Sequence, residues 1–286
     1  MLDENNEGTA DVDRGGNLSD ATPRALVIDL LGDLNRMGRR EIRVKALVAA
    51  GEEIGVSAPI MRVTLARLRE RGWFHVRREG RESVYLLTPA GVSALEEGAL
   101  RIFHVPEGPW SREWSMVIYT VPESDRQTRD ELRKRLVWLG FGLLAPATWI
   151  CPHPRLDESA NAAATLPSAK LTLLTTRTSD LAADRVLAAK CWDLDSLGTD
   201  YEQFVKAVRA RIPEYRRAAA DGRAALIERV RLVNDYRRFA NRDPQLPEEL
   251  QPAGWPGNAA RRLFGQAHAL LAAPSAAYYA KLFDHS

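Results

Sequence analysis

Between Ile60 and Tyr85 the chain carries seven arginines against three glutamates. Arg62, Arg67, Arg69 and Arg71 stand in one run, and Arg77, Arg78 and Arg81 surround a glycine in the next. A guanidinium is always charged and presents a planar fork of donors, which suits phosphate oxygens and, in the major groove, the O6 and N7 of guanine. The chemistry expected is recognition of double-stranded DNA rather than the making or breaking of bonds. Residues suited to catalysis or metal binding are sparse. Two cysteines, Cys151 and Cys191, and five scattered histidines show no metal-ligand spacing. No Ser/His/Asp or Cys/His set has a recognisable local spacing, and no GxGxxG or P-loop pattern is present. No catalytic residue, metal or cofactor is expected. Cysteine usage fits a reducing cytoplasm rather than a disulfide framework.

The elements that must position these arginines are legible from caps and periodicity. Thr22-Pro23 reads as an N-cap followed by proline at the first helical position. Leu26, Leu30 and Leu34 then form an apolar face, Asp29 and Asp33 lie on another, and Gly38 closes the element. Glu41 to Val44 alternates as a short strand, and Lys45 to Ile54 reads as a second helix. Ser57 caps a third helix, which has Pro59 in its first turn and Gly72 just beyond its end. Trp73 to Leu87 reads as a hairpin bending at Arg78-Glu79-Gly80-Arg81, and Thr88-Pro89 opens a helix to about Arg101. This order is that of a winged helix-turn-helix with an added helix behind it.

In that fold the third helix enters the major groove. Met61, Leu65 and Leu68 would face inward, leaving Ala58, Pro59, Arg62, Ala66 and Arg69 outward and Arg67 nearer the edge. Arg62 is the first choice for base readout, and Ser57 with the first free amides of the helix suits a phosphate. Arg77, Arg78 and Arg81 at the hairpin tip would supply phosphate affinity and salt dependence. The alternative for each arginine is a solvated side chain, or one paired with Glu70, Glu79 or Glu82.

Downstream, His104 to Arg112 reads as a linker and Trp114 to Val121 as a strand. Ser124 caps a helix to Leu139, and Phe141 to Ile150 returns as one extended run. Pro152 to Ser168 has no clear assignment, Lys170 to Thr176 is a third strand, and a helix runs on through Lys190. Cys191 to Leu194 is a candidate fourth strand, which would bring Cys191 near Cys151 if the strands pair. The β-α-β, β-α-β order suggests a ferredoxin-like sandwich. Trp138, Phe141 and Trp149 are expected in its core. From Thr199 the chain is helical, with Pro213 ending one helix, Asn258 capping another as far as Leu271, and a last short helix from Ser275 to Phe283. The expected fold class is α+β: a tail over 1–20, a winged helix over 21–105, a ferredoxin-like middle domain over 111–195 and a helical domain for effector binding and dimerisation over 196–286.

Five stretches carry a specific resemblance. RLRERGWF (Arg67 to Phe74), GRESVYLLTPAG (Gly80 to Gly91), the run from Trp114 to Pro152, WDLDSLGTDYEQF (Trp192 to Phe204) and the run from Tyr236 to Ala260 together resemble the phenylacetic acid degradation repressor family, the PaaX-like transcriptional regulators. The resemblance covers Pro23 to about His285. It implies the same three-part architecture, and a dimeric repressor of aromatic-acid catabolic genes released from operator DNA by phenylacetyl-CoA or a related aryl-acyl-CoA. Such an effector needs cations beside an aromatic slot, between the middle and C-terminal domains. Tyr236, Arg237, Arg238, Arg242 and Trp255 are the candidates, with solvated arginines and a purely structural Trp255 as the alternative. Asp235 stands where the resemblance implies a histidine; if that position touches the effector, the ligand departs from phenylacetyl-CoA.

The net charge of +2 averages unlike parts: −5 over residues 1–20, +4 over 21–105 and +3 over the remainder. The acidic start, which lacks the features of a secretory signal, is expected to be disordered. No apolar run of roughly 20 residues is present, so no membrane partner is expected. Two other classes stay open: a metal-dependent nuclease using the ferredoxin-like domain, and a constitutive DNA binder. The nuclease would need carboxylates at the end of the first middle-domain strand, where Tyr119-Thr120-Val121-Pro122 supplies none.

Overall fold

A computed structural model describes residues 22–80, 82–104, 106 and 108–284, so the acidic tail lies outside the described residues. The chain forms two units. One holds the described residues through Gly98 with Pro213–Arg238 and Ala267 onward; the other holds Ala99–Ile212 and Phe239–Gln266. The fold is mixed α+β with two antiparallel sheets and a helical C-terminal region.

In the first unit, α1 (Pro23–Arg36) starts where Thr22 accepts a bond from the Ala25 amide. Then come β1 (Glu41–Arg43), α2 (Val44–Glu53), α3 (Ala58–Glu70), β2 (Phe74–Glu79), β3 (Glu82–Leu87) and α4 (Pro89–Phe103), whose residues from Ala99 on belong to the second unit. The strands lie in the order β1-β3-β2. Gly80 turns the hairpin at φ +60°, in the left-handed region that costs glycine nothing. Leu30, Leu34, Met61, Leu65, Leu68, Phe74 and Tyr85 form one core, which Leu226, Val230, Tyr279 and Phe283 also enter.

The second unit contains β4 (Trp114–Thr120), α5 (Arg126–Trp138), β5 (Gly142–Ala145), β6 (Thr148–Cys151), α6 (Leu156–Ala163), β7 (Lys170–Thr176) and α7 (Leu181–Cys191). Its sheet order is β5-β6-β4-β7, every neighbouring pair antiparallel. The expected extended run from Phe141 to Ile150 is two strands folded on each other, because Ala147 takes a left-handed φ of +56° and reverses the chain. Cys191 to Leu194 is no strand: α7 ends at Cys191, and Cys191 is not paired with Cys151. Within the unassigned stretch, Leu156–Ala163 is helical.

Helices α8 (Leu194–Ala218), α9 (Gly222–Arg237) and α10 (Gly257–Asp284) complete the chain. Pro213 does not end its helix, contrary to expectation, and the two helices expected over 258–271 and 275–283 are one, which runs through Pro274. In α10 the stripe Ala260, Phe264, Ala267, Leu271, Ser275, Tyr279, Phe283 is buried without interruption. A proline costs about 3 kcal/mol in a helix interior, less than such a stripe gains by burial at ~1.5–3 kcal/mol per large side chain. Pro213 is exposed, so water can satisfy the carbonyl that its ring leaves unbonded.

Asp29 and Asp33 depart most from the amphipathic pattern. Both are buried, the second only 2% exposed. Asp33 accepts from Arg229 on α9 at 3.0 and 3.3 Å, from the Tyr279 hydroxyl at 3.4 Å, and from Arg36. Asp29 lies 3.4 Å from the Arg237 Nε as an ion pair without a hydrogen bond, and its Oδ2 has no donor among the described residues. Burial raises the Asp29 carboxyl to about 7; Asp33 adds to the rise, while Arg237 and Arg36 oppose it.

Two outcomes follow for stability. Asp33→Ala leaves Arg229 charged and buried without its partner, and is expected to cost about 3–5 kcal/mol in denaturant unfolding, whereas the double change Asp33→Leu with Arg229→Met recovers most of the loss. Asp29 holds its proton in the folded protein to about pH 7 but loses it near pH 4 when unfolded. The folded state therefore binds the extra proton between these values, and stability falls as pH rises through the window. Asp29→Asn is expected to flatten that slope in unfolding curves taken from pH 4 to pH 8.

Candidate nucleic-acid interface

The third helix buries Met61, Thr64, Leu65 and Leu68. That stripe turns Arg62, Arg67 and Arg69 outward, all three exposed. Ala58 and Ala66, expected outward, are half-buried, while Ile60 at 42% and Val63 at 52% exposure share the open surface. Exposed apolar side chains between arginines are what a groove-reading helix uses against thymine methyl groups. Neither residue was foreseen on the outer face of this helix. Ser57 occupies the N-cap, but its hydroxyl makes no capping bond, so the first amides of α3 have no side-chain cap. A helix start in this condition suits an anion.

Charge around the helix is not balanced locally. Among the described residues no acid pairs with Arg62, Arg67, Arg69 or Arg71. Arg24, at the start of α1, is depressed first by burial and then by the neighbouring Arg71 and Arg67 charges. These three cations crowd one another with no carboxylate among the described residues beside them, and Arg24 was not foreseen as part of the set.

The hairpin register sorts its own arginines. Phe74, Val76 and Arg78 point to one face of the sheet opposite Leu87, Tyr85 and Ser83. Phe74 and Tyr85 belong to the core that α3 closes, so Arg78 extends from the face on which α3 packs. His75, Arg77 and Glu79 point the other way. There Arg77 bonds Glu79 at 2.7 Å and pairs with Glu41, while Arg43 holds Glu79 at 3.4 Å and Glu82 at 3.0 Å. Arg77 is thus part of a neutralised network, and Arg78 has no acid partner among the described residues. Arg81 lies outside the described residues.

The candidate effector residues are divided between the two units. Tyr236 is buried in the first, with Arg238 half-buried beside it, and Arg237 pairs with Asp29 as described. Arg242 and Trp255 belong to the second. Arg242 pairs with Asp200, donates to Ser196 Oγ at 3.1 Å, and lines a cavity of about 260 Å³. Trp255 meets the Tyr201 ring edge-on at 5.9 Å. A Cβ on Gly257 would lie 2.4 Å from its indole nitrogen, so Trp255 closes the Trp-Pro-Gly turn. Phe141 and Trp149 are core residues of the second unit, as expected, and also wall that cavity, whereas Trp138 is half-buried and outside that core. Asp125, and not Ser124 as expected, caps α5 by accepting from the Thr128 amide at 3.0 Å, and it also accepts from Ser168 at 2.6 Å. No described helix is long and apolar enough to cross a membrane.

Three family models match the chain in succession: the PaaX-like protein model over residues 22–91, the PaaX protein central Cas2-like domain over 107–188, and the PaaX-like protein C-terminal domain over 192–281. A curated relative, the transcriptional repressor PaaX of Escherichia coli (strain K12), is 32% identical over 250 residues, covering 84% of this chain and 77% of its own. The uncharacterized protein Rv0674 from Mycobacterium tuberculosis is similar in fold, with a TM-score of 0.58 and 23% identity over 87% of this chain and 96% of that one.

Proposed function

Because this chain belongs to the PaaX-like protein family, we propose that it is a transcriptional repressor of phenylacetate-type aromatic-acid catabolism, released from its operator by an aryl-acyl-CoA. The observation that carries the DNA-binding part is the open face of α3, where Arg62, Arg67 and Arg69 stand without acid partners beside Ile60 and Val63. The order α1, β1, α2, α3 and hairpin supports a winged helix-turn-helix, with α3 in the major groove and the hairpin as wing. Arg62 is the base reader. Arg67, Arg69, Arg78, Arg81 and the Ser57 end of α3 hold backbone phosphates. Arg77 is structural, its charge already met by Glu41 and Glu79.

The second unit reads as ferredoxin-like, since its strands lie in the order second, third, first, fourth with helices after the first and third. The nuclease alternative finds little support: Tyr119 to Pro122 at the first strand's end hold no acid, and of the acids that follow Glu123 lies in a turn and Asp125 caps a helix. A homodimer would present two α3 helices to half-sites about one helical turn, or a multiple, apart, in the cytoplasm. Effector binding then favours an arrangement whose spacing no longer matches the operator. Relief of repression by about 100-fold requires the ligand to prefer the released state by about 2.7 kcal/mol.

Anisotropy titrations with a promoter fragment at several salt concentrations test the reading. Arg62→Ala is expected to cost about 1–3 kcal/mol on the specific site and to relax the choice of one base pair. Arg78→Ala should weaken all sequences alike and lower the salt slope by about one. Arg77→Ala should change binding little. Unchanged specific affinity in Arg62→Ala would overturn the readout assignment, and a panel of aryl-acyl-CoA thioesters that all leave DNA binding intact would overturn the effector.

A further inference from the structure

Residues 1–21 precede the first described residue and hold Asp3, Glu4, Glu7, Asp11, Asp13 and Asp20 against Arg14. Recognition of DNA has no use for such a run of acids, and the place where it joins the fold decides which cations it can reach. Thr22 caps α1, and Arg24 stands exposed in the first turn of that helix. Packing of α1 against α3 brings Arg24 within reach of the Arg67 and Arg71 charges. The acids are thus tethered beside three cations that form no ion pair with a carboxylate of the described residues.

An α-helix turns about 100° per residue. Arg67 and Arg71 accordingly share the flank of α3 toward Arg24, Arg62 and Arg69 share the opposite flank, and exposed Val63 lies between them. The 13 residues of α3 make this face about 20 Å long. A segment of 21 residues reaches about 70 Å when extended, so it can cross from one flank to the other with length to spare. Its sequence suits the surface. Asp11-Val12-Asp13 sets an apolar side chain between two acids, the complement of Val63 between its arginine flanks. The far face of the hairpin offers no rival seat, because Arg43 and Arg77 already meet Glu41, Glu79 and Glu82 there.

We propose that residues 1–21 seat on the exposed face of α3, with their carboxylates among Arg24, Arg62, Arg67, Arg69 and Arg71, and that DNA must displace them to bind. The proposal rests on the DNA-binding reading given above and gives the same arginines an occupant when DNA is absent. A tethered segment acts at an effective concentration on the order of 1 mM. Against a dissociation constant of about 0.1 mM for the untethered segment, it masks the face about 10-fold. Both attractions are ionic, so salt loosens the segment as well as the DNA.

Two full-length variants test it. In the first, Asp3, Glu4, Glu7, Asp11, Asp13 and Asp20 are all changed to their amides, which keeps the length and removes the charge. It is expected to bind a promoter fragment about 10-fold more tightly than the parent chain at low salt, the advantage shrinking as salt rises. In the second, Arg69→Lys places a primary amine on the flank far from Arg24. A carbodiimide joins that amine to any carboxylate in contact with it, and the products are mapped by mass spectrometry on a mixture of isotope-labelled and unlabelled chains. Cross-links to residues 1–21 of the same chain are expected, in excess over those formed by Lys45 and Lys281, which are exposed on α2 and α10, and the promoter fragment is expected to suppress them. Tighter binding by the amide variant without the cross-link means that the acids repel DNA from a distance, and overturns the docking. Cross-links found only between chains overturn it too, and a cross-link with unchanged affinity overturns the competition. If both chains bind the promoter fragment equally and no cross-link forms, the docking is overturned and the DNA-binding reading stands. If the cross-link forms and neither chain binds DNA, the seat on α3 stands and the DNA-binding reading is overturned.

Discussion

Burying a carboxylate and a guanidinium together commits a chain to one arrangement, because either charge alone inside a protein is unsustainable. Asp33 and Arg229 are 196 positions apart and both almost wholly withdrawn from water. Their pairing, with Tyr279 and Arg36 on the same carboxylate, fixes α9 and the end of α10 against α1. The second rung, Asp29 with Arg237, repeats the constraint nearer the start of α1 and sets the two helices antiparallel. The apolar contacts of Leu226 and Val230 would tolerate a helix slid by a turn; the buried Asp33–Arg229 pair would not. Since α1 also carries the core on which α2 and α3 rest, the orientation of the arginine-bearing helix is referred to a pair of charges that an amphipathic reading places on the outside.

The same electrostatics decide which surface arginines are available. Counting seven arginines between Ile60 and Tyr85 overstates the cationic surface, because strand alternation divides them. On one face of the hairpin Arg43 and Arg77 meet Glu41, Glu79 and Glu82, so that face is nearly neutral. On the other, Arg78 continues the side to which α3 belongs. Net charge would not reveal this, nor would the local surplus; register does.

How much was legible in the sequence follows from where the deciding interactions lie. Thr22-Pro23, Thr88-Pro89 and Gly80 act within four residues of themselves, and the elements they bound are as expected, as is the start of α3 after Ser57 even though the Ser57 hydroxyl makes no capping bond. The inward set Met61, Leu65, Leu68 was equally local. What failed was set by distant partners. Pro274 reads as a break until the stripe from Ala260 to Phe283 is seen to be buried throughout. The turn between β5 and β6 rests on Ala147 at positive φ, where an alanine gives no warning. Asp29 and Asp33 look solvated until α9 supplies arginines. Arg101 looked like the last turn of an ordinary helix, and only the fold brings it to the carbonyls of Ala240 and Asp243.

Whether a small ligand could drive release from DNA is a question of magnitude. A 100-fold change needs about 2.7 kcal/mol of differential binding, however tightly the ligand binds overall. Apolar burial of a ring supplies affinity but no preference if both states offer the same slot. Preference comes from groups satisfied in one state only. A buried donor or cation that gains a partner in only one arrangement supplies about 1–3 kcal/mol of such preference, so one polar contact made in a single state is enough for a 100-fold response.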